Sequence, residues 1–183
     1  MTYDFTSCFE ALSGVVHQVN SEEAAAQKIY EICQQQQVSC LALANLPEAF
    51  IQQIENYCGG LKILKEPYPS ESLPLAMDEA GIGVTGIEFA IAQSGTMVEV
   101  SDNDAVRLVS SLPRTHIGII RRKDIIDTYF ESGSRIREII SRHDRNVVIS
   151  FISGPSRTGD IELKLTLGVH GPEEAHAVII EDQ

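Results

Sequence analysis

The sequence predicts a three-layer α/β domain built on a mostly parallel sheet. Three observations carry this expectation. Short apolar segments alternate with segments of helical periodicity along 183 residues. The apolar segments are near-continuous, as strands covered on both faces must be. No internal repeat or linker divides the chain, and its length suits one ordinary domain.

The elements follow in order. Residues 1–19 have weak periodicity and read as an N-terminal extension, leaving 20–183 as the single α/β domain. Asn20-Ser21-Glu22-Glu23 is a helix start, a cap followed by acids in the first turn. Ala25, Ile29, Ile32 and Cys33 then share one helical face. Ser39–Ala44 is a short apolar strand, and Leu46-Pro47 opens a second helix striped by Phe50, Ile51, Ile54 and Tyr57. Gly59-Gly60 ends that helix and Leu61–Leu64 forms the next strand. Residues 82–100 read as two strands joined at Gln93-Ser94-Gly95. Thr115–Ile120 is a β-branched strand, and Lys123–His143 is expected to be one long helix with Ile125 and Phe130 facing inward. Val147–Ile152 has the composition of a strongly buried strand, and Gly154–Glu162 reads as a loop entering a short helical turn. Leu163–Val169 and Ala175–Ile180 complete the sheet, with strands 146–152 and 163–169 expected to be neighbours.

The chain carries 14 basic and 26 acidic residues, a net charge of −12. That disfavours a general nucleic-acid or anionic-membrane binder, since both need clustered positive charge. Every arginine lies at or after Arg107, so a bidentate site for a carboxylate or phosphate must draw on the second half. The acidic first half is either a solvated surface or a steering field. No apolar run approaches the roughly 18–20 residues needed to span a bilayer. The first residues lack a basic segment followed by an apolar one, so a cytoplasmic location is expected. Cys8, Cys33, Cys40 and Cys58 show no C-x-x-C spacing, and His17, His143 and His176 show no metal-ligand spacing. No metal site and no resident cofactor are expected.

The chemistry concentrates after residue 80. Gly154-Pro155-Ser156-Arg157-Thr158-Gly159-Asp160 joins tight-turn glycines to two hydroxyls and a planar cation. It is a plausible anion cradle beyond a strand end, with Arg157 as its principal charge and Asp160 orienting it. The competing reading is a capped turn in which Arg157 pairs with Asp160. His170, between Gly168 and Gly171, is either a general acid/base or a turn histidine. Ser94, Gly95 and Thr96 can expose amides and hydroxyls to a ligand, and Glu88 is a candidate base or nucleophile or else an exposed acid. Arg107 and Arg114 bracket Ser110-Ser111-Leu112-Pro113, where one of them can line the same cleft. His116, between Thr115 and Ile117, is expected to be structural.

The order of GVTGIEFAIAQSGTMVEV, RLVSSLPRTHIGII, ISGPSRTGDIEL and LGVHGPEEAHAVII resembles the LUD-domain family of lactate-utilisation proteins, nearest to the protein C type. The resemblance is specific over residues 80–181. It implies a fold like that of CoA transferases, ribose-5-phosphate isomerase and glucosamine-6-phosphate deaminase. It also implies a role in oxidising L-lactate to pyruvate within a multi-protein system whose iron–sulfur clusters sit on partner proteins. Gly154 to Thr158 with Asp160, Ile161 and Glu162 match one family motif, and Gly168 to Pro172 match another. The family's acidic-Thr-Gly-Thr turn is matched in part, with Gln93 in place of the acid and Ser94 in place of the threonine. The alternative is an independent enzyme of the CoA-transferase or sugar-phosphate-isomerase type acting on an anionic substrate.

Overall fold

The computed structural model describes residues 1–69, 73–159 and 165–181. It begins with α1 (Phe5–Glu10), β1 (Val15–Val19), α2 (Glu22–Gln35), β2 (Cys40–Ala44), α3 (Glu48–Cys58) and β3 (Lys62–Lys65). The middle contains α4 (Leu73–Asp78), β4 (Ile82–Gly86), β5 (Phe89–Ile91), β6 (Thr96–Ser101), α5 (Asp104–Ser111) and β7 (Thr115–Arg121). The rest comprises β8 (Ile125–Ile126), α6 (Tyr129–Arg142), β9 (Val148–Ile152), β10 (Arg157–Gly159), β11 (Leu165–Leu167) and β12 (Glu174–Ile180).

The central sheet has the order β1-β12-β7-β4-β2-β3. All five of its strand pairings are parallel. Its interior strands are apolar on both faces because both faces are covered, and β2 is buried at every residue. On one face α2 and α3 pack Ile29, Ile32, Phe50 and Ile54 against Leu41, Leu43, Ile117 and Val178. On the other face α4 and α5 cover β2 with Met77, Val106 and Val109. The remainder of that face, from β7 to β12, is covered by α1 and a second sheet. That second sheet has the order β8-β5-β6-β9 and is mixed, with β5–β6 and β6–β9 antiparallel. Its outer side packs Phe89, Ile91, Val98 and Val100 under Ile139 of α6.

The structure corrects the reading of the first 19 residues. They form α1, capped by Asp4 accepting from Ser7 N, and the edge strand β1. Phe5 and Phe9 stack with centroids 5.4 Å apart and are buried, each burial contributing about 1.5–3 kcal/mol. A single helical turn and a half is too short to display periodicity.

Four further expectations change. The segment 123–143 is not one helix: a 3-10 turn (Arg122–Asp124) and β8 precede α6, which starts at a Thr128–Glu131 capping box. Ile125 is buried in β8, whereas Phe130 is 94% exposed rather than inward. Residues 148–152 form the edge of the second sheet, with Val148 and Phe151 exposed, not a strongly buried strand. Strands 146–152 and 163–169 are not neighbours, because β11 pairs with β10 in a separate two-stranded sheet. Arg157–Gly159 is extended backbone, and the end of the segment, where a helical turn is expected, lies outside the described residues.

Candidate functional site

Two of the sequence motifs meet through their backbones. Ser156 N donates to Pro172 O at 2.8 Å, and Gly168 N donates to Ser156 O at 2.9 Å. The paired segments wall a cleft of about 330 Å³. Its other walls are Arg107, Ser110 and Ser111 of α5, His116 of β7, and Ser150 to Ser153 at the end of β9. Gly154, Ser156 and His170 line this cleft together.

Gly154 has φ +87°, and a Cβ there would stand 2.5 Å from Leu12 O. Only glycine meets both demands, so the motif loop rests on the turn after α1. Gly95 is held in the same way against the end of α1. Its φ is +55°, and a Cβ would reach Phe9 N at 2.5 Å. Thr96 is buried and joins the cleft indirectly, its Oγ1 lying 2.8 Å from both Ser94 Oγ and Ser153 Oγ.

Arg157 stands outside the lining on exposed β10, where its Nη2 donates to Ser153 O at 3.2 Å. Thr158 follows on the same strand, and Asp160 lies outside the described residues. The cation that lines the cleft is Arg107, paired with Asp104 at 2.7 Å. Arg114 instead pairs with Glu173 at 2.5 Å. Glu88 belongs to a different cleft, of about 230 Å³, at the C-terminal ends of the parallel strands with Asn45 and Arg121. It lies 3.6 Å from Arg142. Gln93 Oε1 accepts from Tyr129 N at 2.9 Å, so the residue replacing the family acid fastens the start of α6.

Sequence reasoning missed a buried polar group beneath the cleft. Glu99 of β6 is fully buried between the two sheets, and Ser110 Oγ donates to its Oε1 at 3.0 Å. Its Oε2 has no hydrogen-bond partner among the described residues. Burial pushes the Glu99 carboxyl up to about 6, while hydroxyls of Thr85 and Ser110 favour the charged form. Thr85 Oγ1 of β4 lies 2.8 Å from His116 Nε2. Burial, with a smaller contribution from His176, pushes the His116 imidazole down to about 3, so it is neutral at physiological pH. His116 Nδ1 is buried without a partner among the described residues. The available signal was Glu99 itself, a single charge inside TMVEVS where the strand is otherwise uncharged.

The LUD domain family profile matches residues 3–180. The chain belongs to the LUD domain family. This LUD domain is 34% identical over 139 residues to lactate utilization protein C of Bacillus subtilis (strain 168), covering 68% of this chain and 58% of that protein. It is 38% identical over 109 residues to lactate utilization protein C of Bacillus licheniformis, covering 58% and 45%. The chain thus spans about half the length of the curated relatives it matches. A crystal structure of a DUF162 family protein from Deinococcus radiodurans shares the fold of this LUD domain. Its TM-score is 0.64 at 19% identity, covering 96% of this chain and 93% of that one. Among the described residues, no helix of this LUD domain is long and apolar enough to cross a membrane.

Proposed function

We propose that this LUD domain is a ligand-binding component of a cytoplasmic, multi-protein system that oxidises L-lactate to pyruvate. The iron–sulfur clusters of that system reside on partner proteins. The cleft between α5, the end of β9 and the 168–172 turn takes the small carboxylate. Removal of two electrons from a 2-hydroxy acid needs an acceptor that side chains do not supply, and partners provide it.

One observation carries the binding assignment: Arg107, five serines (Ser110, Ser111, Ser150, Ser153 and Ser156) and His170 line one cleft. A carboxylate needs that combination of charge and donors. Arg157 at its rim adds a second guanidinium that an anion meets on entry. Family membership and the lactate-utilisation names of the relatives supply the reaction context.

Titration calorimetry with L-lactate, pyruvate and inorganic phosphate tests the reading. Binding of a small carboxylate that weakens about tenfold or more in Arg107→Ala supports it. Absence of binding by all three anions overturns the cleft assignment. Lactate oxidation by the isolated chain with an artificial acceptor would overturn the dependence on partners.

A second reading is favoured by Glu99, whose raised carboxyl next to a polar cleft suits acid/base chemistry. On that reading the chain is an independent enzyme of the CoA-transferase or sugar-phosphate-isomerase type. Turnover of a sugar phosphate or an acyl-CoA by the purified chain would decide for it.

A further inference from the structure

A carboxyl group lies directly beneath the cleft assigned to an anion. Glu99 is fully buried, and its neighbour is a hydroxyl rather than a cation: Ser110 Oγ stands 3.0 Å from Oε1. Oε2 has no partner among the described residues. Ser110 lines the cleft, and so does Ser150, the register partner of Glu99 across β6 and β9. Directly opposed residues of paired strands share one face of the sheet, so Glu99 is one serine away from the cleft from both α5 and β9. Ser110 has a single proton to give. An ionised Glu99 can only accept, so it draws that hydrogen and leaves the cleft a lone pair; Arg107 O, 3.1 Å from Ser110 Oγ, competes for the same hydrogen. A protonated Glu99 donates to Ser110 Oγ instead, which frees the hydroxyl hydrogen for a bound anion. An anion accepting from Ser110 also stands within about 6 Å of the carboxyl, two hydrogen-bond lengths away, in a setting too buried to screen like charges.

We propose that Glu99 makes this cleft a proton-linked anion site: a singly charged carboxylate enters together with one proton from solvent, and Glu99 holds that proton. The proposal rests on the carboxylate-binding reading above and adds a proton to it. Glu99 is a positioning residue in this role, since it acts on the ligand through Ser110. The other charged or titratable groups around the cleft are Arg107 of α5, already paired with Asp104, His116 of β7, neutral at physiological pH, and His170 of the 168–172 turn. The strands β4, β5 and β9 bring no titratable side chain. The Glu99 carboxyl titrates near 6, so above pH 7 it is mostly ionised before the anion arrives and has a proton to gain.

Titration calorimetry with L-lactate and with pyruvate tests it, run at pH 7 in bis-Tris and in imidazole, whose different ionisation enthalpies reveal protons taken up on binding. Net uptake is expected for the wild type, and its affinity should fall at least about fivefold from pH 5.5 to pH 8. Glu99→Gln keeps the shape and cannot ionise. It should take up fewer protons and, at pH 8, bind at least about fivefold more tightly than the wild type. Independently of any variant, the ¹³C carboxyl shift of Glu99 at pH 7 should move to its protonated position as lactate saturates the wild-type chain. A carboxyl that stays ionised in the saturated protein would overturn the proposal. Equal uptake in wild type and Glu99→Gln would place the proton elsewhere and overturn it too, while leaving the anion-binding reading intact. Failure of both carboxylates to bind at any pH in the range would overturn both.

Discussion

The hydroxyls of Thr96 and Ser153 lie 2.8 Å apart although 57 residues separate them in the chain. The contact ties the hairpin turn between β5 and β6 to the loop leaving β9. It thereby sets the cleft wall by reference to the second sheet. Ser94 extends the same chain of hydroxyls from the other side of Thr96.

Thr96→Val should lower stability by about 1–2 kcal/mol, because it leaves two hydroxyls short of a partner while keeping the side chain's shape. Urea unfolding gives the value. A variant as stable as the wild type would show that the hydroxyl chain contributes nothing.

Glu99→Gln should alter the pH profile of stability in a defined direction. The folded carboxyl titrates near 6, above its ordinary value of 4.5. The folded state therefore holds the proton more tightly, and stability falls as pH rises from about 4.5 through 6. The uncharged amide lacks this loss. Glu99→Gln should gain on the order of 2 kcal/mol over the wild type above pH 7, with no gain near pH 4. Denaturant midpoints measured at both pH values check the sign.

Buried His116 and half-buried His17 act in the opposite sense. His116 is pushed down to about 3, and His17 to about 4, by burial with His176 adding to both. His17 Nε2 lies 3.1 Å from His176 Nδ1, with the rings stacked at 5.4 Å. Both groups bind protons more readily when unfolded, so their stabilisation is complete above about 6.5 and is lost on acidification. Replacing His17 with Gln should flatten the decline measured by thermal melting between pH 6 and pH 4. An unchanged slope would mean that His17 titrates normally in the folded chain.

Gly154→Ala should cost at least about 2 kcal/mol, since it combines positive φ with a collision against Leu12 O. Because the collision lies on the segment between α1 and β1, hydrogen exchange should quicken in residues 5–14 as well as in the loop. Faster exchange confined to the loop would argue against that coupling.

The central sheet is legible in the sequence because its strands are covered on both faces. Residues such as Leu41, Val84, Ile117 and Val178 must all be apolar there. The second sheet is legible only at its β5–β6 hairpin, which the turn at Gln93-Ser94-Gly95 marks, because composition does not distinguish an edge strand from a central one. VISFI looks like a core strand, yet among the described residues only β6 pairs with it. In the same way Ile125 and Ile126 fit a helical stripe as well as the two-residue strand they form. Of the candidate site, the glycine-bounded motifs are visible because Gly154, Ser156 and His170 occur in distinctive short runs. Glu99 and Thr85 are not, because a lone polar residue in a strand usually faces water. Here a sheet closes over each of them. Arg157 shows the converse: its motif is conspicuous, but extended backbone turns the side chain outward.

The position of β12 orders the making of the protein. This last strand lies between β1, the first, and β7, and pairs with both. During synthesis β1 emerges early and has no sheet neighbour until residues 174–180 leave the ribosome. The nascent chain must therefore carry an unpaired edge and an open slot beside β7 until residues 174–180 have been made. Such species are prone to capture by other chains. A product lacking residues 174–180 would lose a strand from inside the sheet and not merely its edge. Quality-control chaperones and proteases would meet it as an unfinished fold.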